Sequence, residues 1–375
     1  MTFNTRELRS TITEDGTLTL SIEAAQLPDP ADDEVIVRIE AAPINPSDLG
    51  LLLGPADLST LEQTTYGVPS ALRFAVPKPR LASVSGRIGQ SLPIGNEGAG
   101  TVVAAGRNAK ALDGKRVGTI GGGMYTEYRK LNARDVIALP DGATAADGAS
   151  MFVNPLTALG FVETARREGH RAIVHAAAAS NLGQMLQKIC LADGIPLVNI
   201  VRSPAQAEIL GEIGATHVVD SSAADFKEQL IEAIAATGAT IAFDPIGGGS
   251  LGSDILKAME RVAVRAMPAY NRYGSDVLKQ LYVYGGLDTS PIVLDRLGFG
   301  FRWSVSGWLM FPFLQSAGAE VVTRMRQRVT DELTTTFSSR YTRTIGLAEA
   351  LDPDTLRAYQ KKATGEKFLI DPTRG

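Results

Sequence analysis

The chain has 375 residues, 44% of them hydrophobic, and a formal net charge of −4. At about 150 residues per domain this suffices for two domains with sizeable cores, while the small charge and the lack of a basic stripe argue against nucleic acid or an anionic membrane as partner. A single cysteine, Cys190, excludes an intrachain disulfide and a cysteine-rich metal site. The first ten residues lack an apolar leader-like run, and no uncharged stretch reaches the roughly 18 residues that cross a bilayer. A cytoplasmic protein is therefore expected.

Strand signals crowd the first third of the chain. Segments 18–22, 34–39, 100–105 and 116–120 read as strands, the second with clean alternation, and glycine or proline separates them at short intervals. An antiparallel, barrel-like domain is expected before about residue 150. Segment 54–93 shows no clear period and contains Pro55, Pro69, Pro77, Pro79 and Pro93, which predicts an irregular excursion near an active-site mouth.

From Pro155 onward helix and strand alternate. A helix is predicted near 157–167, a buried strand at 172–174, a helix at 184–192, a strand at 197–201 and a helix at 205–213. A strand within 214–220, a helix at 226–236 and a strand at 240–244 complete a parallel, doubly wound α/β sheet. The ligand crevice of such a sheet lies at the carboxyl ends of its strands, where Ser180, Arg202 and Asp244 fall.

The turn after the first of these strands reads His175-Ala176-Ala177-Ala178-Ala179-Ser180-Asn181-Leu182-Gly183. Where a dinucleotide-binding turn usually carries three glycines, this one has Ala178, Ser180 and Gly183, the last kept for close helix packing. The next strand ends at Arg202 with no acidic residue at its tip. An acid there would hold a ribose 2′-hydroxyl, whereas the planar fork of arginine suits a 2′-phosphate. The pattern predicts NADP(H). Cys190, on the apolar side of the following helix, reads as a buried, inert thiol.

Six blocks then resemble the medium-chain dehydrogenases/reductases in order and spacing. They are Ala42-Pro43-Ile44-Asn45-Pro46-Ser47-Asp48, Gly95-Asn96-Glu97-Gly98-Ala99-Gly100, 121–128, Val153-Asn154-Pro155-Leu156-Thr157-Ala158, Phe243-Asp244-Pro245-Ile246-Gly247-Gly248 and Gly365-Glu366-Lys367. The resemblance implies a GroES-like barrel domain from residues 1–154 and 330–375, a Rossmann NADP(H)-binding domain from 155–329, and a homodimer joined through the Rossmann sheets. It is closest to the zinc-independent branch. Zinc-dependent members carry ligands near the places of Asn45, Asn96 and Asn154, and His170, His175 and His217 sit apart from one another as structural residues. No metal is expected. Without a Lewis acid, a conjugated acceptor that delocalises the incoming charge is the plausible substrate, either a quinone or an activated alkene.

NADPH:quinone reductases and 2-enoyl thioester reductases share these motifs. The enoyl reductases carry a proton-donating tyrosine whose place here is near Ala56; none of residues 49 to 65 is tyrosine, and Tyr66 is the nearest substitute. Because a reduced quinone takes its proton from water, the departure favours a quinone acceptor. An enoyl thioester reductase is the first alternative, and a non-catalytic NADPH-binding protein the second.

By resemblance, Asn45 belongs near the nicotinamide ribose and, with Tyr66, is a candidate for chemistry. Thr157 would contact the nicotinamide or cap the helix after Pro155. Ala178, Ser180, Asn181 and Gly183 would form the pyrophosphate turn at a helix N-terminus, and Arg202 with Ser203 the 2′-phosphate end. Asp244, Pro245 and Gly247 would touch the ribose or nicotinamide, with a plain turn as the other reading. Tyr284, Gly285 and Gly286 would bring backbone to the nicotinamide. Trp308 would line the pocket or the dimer interface, and Lys367 would meet a cofactor phosphate or stay solvated.

Overall fold

The computed structural model describes residues 2–64, 71–362 and 364–374. The chain divides into two compact units, Met1–Val153 with Thr330–Gly375, and Asn154–Val329.

The first unit is built on two sheets. β1 (Phe3–Ile12) and β2 (Thr17–Leu27) pair antiparallel from Phe3 opposite Leu27 to Ile12 opposite Leu18. β3 (Glu34–Pro43) leads into the short α1 (Pro46–Leu52), where proline at the first helical position costs no hydrogen bond. Then come β4 (Asp57–Thr64), β5 (Ala71–Ala75), α2 (Lys78–Leu81), β6 (Ser91–Pro93), β7 (Glu97–Ala105), β8 (Arg116–Ile120), β9 (Tyr128–Asn132), β10 (Val136–Ala138) and α3 (Ala145–Gly148). One sheet has the order β4-β5-β2-β1-β6. The clean alternation expected in β3 is not observed: Val35, Ile36 and Val37 are all buried, because register shifts against β7 turn successive side chains inward and β9 pairs with β3 as well.

Segment 54–93 is a correction to the expected irregular excursion. Its strands β4 and β5 extend the sheet beside β2. The period was hidden by a register shift between Asp57 and Glu62, which lets β4 expose residues out of step with a two-residue repeat.

The second unit starts from α4 (Val153–Arg167), whose first residue belongs to the barrel unit. It continues through β11 (Ile173–Ala176), α5 (Asn181–Asp193), β12 (Leu197–Val201), α6 (Pro204–Glu212), β13 (His217–Asp220), α7 (Phe226–Thr237) and β14 (Ile241–Asp244). β15 (Gly247–Gly249), α8 (Leu251–Arg265), β16 (Lys279–Val283), β17 (Asp288–Ile292), β18 (Trp303–Gly307), α9 (Met310–Ala317) and α10 (Ala319–Asp331) follow. The sheet order β13-β12-β11-β14-β16-β18 is parallel throughout. This is the doubly wound Rossmann arrangement. Leu230 and Ile234 of α7 and Ile255, Leu256 and Met259 of α8 bury against Val198, Val219 and Leu281, each such side chain stabilising the fold by about 1.5–3 kcal/mol.

The C-terminal segment returns to the barrel unit as β19 (Arg343–Ile345), α11 (Pro353–Tyr359) and β20 (Phe368–Ile370), and β20 pairs antiparallel with β3. The second sheet of that unit thus has the order β10-β8-β7-β3-β20-β19. Among the described residues, no helix is long and apolar enough to cross a membrane.

Candidate functional site

In the Rossmann unit, β11 runs into a turn whose left-handed residue is Ala177, with φ of +50°. The sequence had pointed to Ala178 as the small residue of this turn. Ala178 follows Ala177 and donates its N–H to Ile200 O at 3.1 Å, tying the turn to β12. Ser180 is the N-cap of α5 and accepts from Gly183 N–H at 3.2 Å, which leaves its own O–H available to donate. A Cβ at Gly183 would stand 2.1 Å from Ala178 O, so only glycine closes this turn. The N-terminus of α5, beginning at Asn181, therefore presents a compact anion site with a favourable dipole.

Arg202 follows β12, is exposed, and donates its N–H to Gln206 Oε1 at 3.0 Å. Among the described residues no carboxylate pairs with its guanidinium. Ser203 is the N-cap of α6, accepting from Gln206 N–H at 3.4 Å. Its structural job is thus evident beside the expected one.

Two loops meet at the carboxyl ends of β14 and β16. Asp244, buried, accepts from Ile246 N–H at 2.8 Å and Gly247 N–H at 3.4 Å, the geometry of a turn, and burial raises its carboxyl above the usual range. A Cβ at Gly247, whose φ is +79°, would lie 2.9 Å from Gly285 O, and one at Gly285 would lie 2.6 Å from Pro245 O. These glycines let loop pack on loop, whereas Gly286 has open space around it.

Beneath them, Tyr284 OH shares a hydrogen bond of 2.8 Å with His175 Nε2. His175, expected after its strand, lies within β11 and is fully buried, so burial pushes its imidazole down to about 3. Phe161 stacks on Phe243 with ring centroids 4.0 Å apart and meets Trp308 edge-on at 4.8 Å. Trp308 donates Nε1–H to Thr164 Oγ1 at 3.1 Å and lines a pocket with Arg167, Tyr282 and Phe313.

Thr157 is buried in the second turn of α4. The helix starts at Val153, two residues ahead of Pro155, so Thr157 is not its cap. Proline fits a helical first turn, where its missing N–H is not needed, so Pro155 does not mark the helix start.

In the barrel unit a set of buried polar groups gathers where α1, β7 and the C-terminal segment meet. Asp48 accepts from the N–H groups of Asn45 and Asn96, both at 2.8 Å, and burial pushes it up to about 7 against those bonds. Asn45, 2% exposed, donates Nδ2–H to Glu97 Oε1 at 2.8 Å, while its Oδ1 has no partner among the described residues. Glu97 Oε2 accepts from the N–H groups of Phe152 and Val153, both at 2.9 Å. Burial raises Glu97, and the Lys367 charge opposes the rise.

Lys367 is neither freely solvated nor isolated. Its ammonium donates to Ser150 Oγ at 2.8 Å and lies 5.4 Å from the Tyr341 ring centre, and burial pushes it down to about 8 against the pull of Glu97 and Asp48. Ser150 Oγ in turn shares a 2.8 Å bond with Tyr341 OH. The candidate Tyr66 lies outside the described residues.

Residues 31–141 match the alcohol dehydrogenase GroES-like domain and residues 182–270 the zinc-binding dehydrogenase domain. The structure of a candidate NADPH:quinone reductase from Mesorhizobium loti aligns over 98% of both chains, with a TM-score of 0.72 and 26% identity. The chain belongs to the medium-chain dehydrogenase/reductase family. Among curated members of that family's sequence neighbourhood, the mitochondrial enoyl-[acyl-carrier-protein] reductase of Xenopus tropicalis is 30% identical over 210 residues, 53% of this chain and 51% of that one. The synaptic vesicle membrane protein VAT-1 homolog of Rattus norvegicus is 32% identical over 184 residues, 47% of this chain and 45% of that one. The matches span about half the length of these curated relatives.

Asn45 gives its amide to Glu97, and Asn96 donates Nδ2–H to Ser47 Oγ at 3.0 Å. Among the described residues no group of three or more His, Cys, Asp or Glu side chains is placed to share a metal. Glu97 and Ala177 carry no role in the sequence pattern, and His175 only a structural one. An acid among the glycines and alanines that open β7 was the available signal, since a charge in such a setting demands partners.

Proposed function

We propose that this protein is an NADPH-dependent, zinc-independent reductase that delivers hydride to a quinone or related conjugated carbonyl acceptor. The observation that carries the reading is the α5 N-terminus, tightly turned through Ala177 and Gly183, together with the exposed and unpaired Arg202 after β12. The first suits a pyrophosphate and the second a 2′-phosphate. Bound NADPH supplies the hydride, and the residues of the chain bind and orient it. In this scheme Ser180 donates its O–H and Asn181 helps form the anion site, while Thr157 and the Tyr284-Gly285-Gly286 loop face the nicotinamide. Asp244, Pro245 and Gly247 set that loop by packing against it, Trp308 shapes the pocket, and Lys367 meets a cofactor phosphate.

The choice of acceptor follows from a proton. Ala56, near the place of the enoyl reductases' tyrosine, is buried in the barrel core and has no proton to give. A reduced quinone is stabilised by aromaticity and accepts its proton from water, so it needs no such donor. The full-length likeness to a candidate NADPH:quinone reductase supports the same choice.

The protein acts in the cytoplasm as a homodimer in this proposal. Among the described residues β18 ends the Rossmann sheet without a further strand, and the exposed Leu309 and Phe311 follow it.

The test is NADPH consumption, with NADH as control, offered an ortho-quinone or a short 2-enoyl-CoA. Quinone turnover with NADPH preference is expected. Turnover of the enoyl thioester alone would reassign the acceptor, and binding of NADPH without consumption would leave a non-catalytic binding protein.

A further inference from the structure

We propose that Glu97 is a positioning residue that fixes the polarity of Asn45, so that Asn45 meets its ligand only as a hydrogen-bond acceptor. Two N–H donors hold Glu97 Oε2 and the Lys367 charge opposes the protonation that burial favours, so Glu97 stands here as an acceptor. Glu97 Oε1 therefore takes Asn45 Nδ2–H at 2.8 Å, and a reversed amide would set Asn45 Oδ1 against that same oxygen. Glu97 cannot swing aside to permit the reversal, because the N–H groups of Phe152 and Val153 hold Oε2 at 2.9 Å each. The side-chain oxygen of Asn45 is left over: it is buried and without a donor among the described residues, the Asp48 N–H of the first helical turn going to the backbone Asn45 O at 3.0 Å.

A buried acceptor without a donor is destabilising, and a ligand hydroxyl or N–H relieves it. A quinone or thioester carbonyl brings only acceptor oxygens and gains nothing there. Asn45 is thus excluded as the group that polarises the acceptor carbonyl, and the ligand class it selects is a bearer of O–H or N–H donors, such as the ribose of a dinucleotide. The identity of that ligand rests on the NADPH reading above; the polarity itself does not.

Three variants test it: Glu97→Gln, Asn45→Asp and the double exchange N45D/E97Q, each measured by NADPH fluorescence titration and by thermal unfolding without cofactor. In Glu97→Gln the introduced carbonyl still serves Phe152 and Val153, while the introduced amide turns to Asn45 and reverses it. NADPH Kd should rise about 10-fold with little change in Tm. Asn45→Asp places two carboxylates face to face and should lower Tm. In the double exchange the introduced amide donates to the introduced carboxylate, so Tm should recover and NADPH Kd should return to within about 3-fold of wild type.

Wild-type affinity in Glu97→Gln, or a double exchange no better than Asn45→Asp, would overturn the inference. Failure of the unmodified protein to bind NADPH would remove the cofactor reading alone. The Tm values of the variants would then decide the polarity, recovery supporting it and no recovery overturning it.

Discussion

Glu97 in the barrel unit and Glu260 in the Rossmann unit are both buried carboxylates, and they differ in what their surroundings leave over. Glu260 accepts from Ser275 N–H at 2.7 Å, from Ser275 O–H and from the fully buried Lys279 ammonium, which also donates to Ser275 Oγ at 3.0 Å. The chain closes over this group so tightly that a Cβ at Gly274 or Gly300 would come within 2.4 or 2.6 Å of its Oε1. Every strong partner is internal, and the arrangement pins the loop between α8 and β16. Around Glu97 the donors are equally well placed, yet Asn45 Oδ1 remains without one. A closed polar network reads as scaffold, and one with an acceptor to spare reads as a site.

The sharpest way to break this comparison is Glu260→Leu. Stranding the Lys279 charge should cost roughly 3–5 kcal/mol of stability, read by urea denaturation, with NADPH affinity of the folded fraction unchanged. Lost affinity in a protein of normal stability would make Glu260 part of a site after all. Next in size, Arg202→Ala should raise the NADPH Kd about 10- to 100-fold, by loss of charge-assisted bonds, and barely move that for NADH. An equal loss for both cofactors would remove Arg202 from the 2′-phosphate.

His175 offers a third test through acid. Its folded value is depressed from 6.5 to about 3 by burial, so between those values the unfolded chain binds a proton that the folded chain refuses. Its contribution is present above pH 6.5 and is lost as pH falls toward 3, at about 1.4 kcal/mol per pH unit. His175→Gln should flatten that part of the stability curve, worth about 2 kcal/mol at pH 5; an unchanged slope would show that the imidazole is already charged in the fold. The smallest effect is expected from Gly247→Ala, where φ of +79° and the 2.9 Å approach to Gly285 O should cost about 1–2 kcal/mol. Thermal unfolding would measure it.

Much of the architecture was legible because strand and helix periods are local. The parallel sheet from β11 to β14 could be read from buried apolar runs between helical repeats, and β12 ends at Val201, directly before the Arg202 that its sequence marks. β4 escaped notice because a register shift destroys the two-residue period on which strand recognition depends. The displaced start of α4 has a different cause, since proline in a first turn resembles a break. In the Rossmann turn the small residues were visible, but a run of four alanines gives no local sign of which one turns left-handed. The partners of Glu97 were beyond sequence reading because Asn45, Val153 and Lys367 come from distant parts of the chain. No local pattern announces that meeting. Ser203 and Asp244 illustrate the opposite limit, in which one residue type serves a helix cap or a turn as readily as a ligand.

The lone thiol of Cys190 carries a practical consequence. Burial in α5 pushes it up to about 12, so the reactive thiolate is scarcely formed near neutrality. Soft electrophiles, quinones among them, find no cysteine nucleophile on the folded chain. The same silence makes the thiol a built-in reporter: the rate at which a maleimide modifies the protein measures how often α5 opens, against a background of zero competing cysteines. A cysteine introduced at the surface would then be the single labelled position while the fold stays closed.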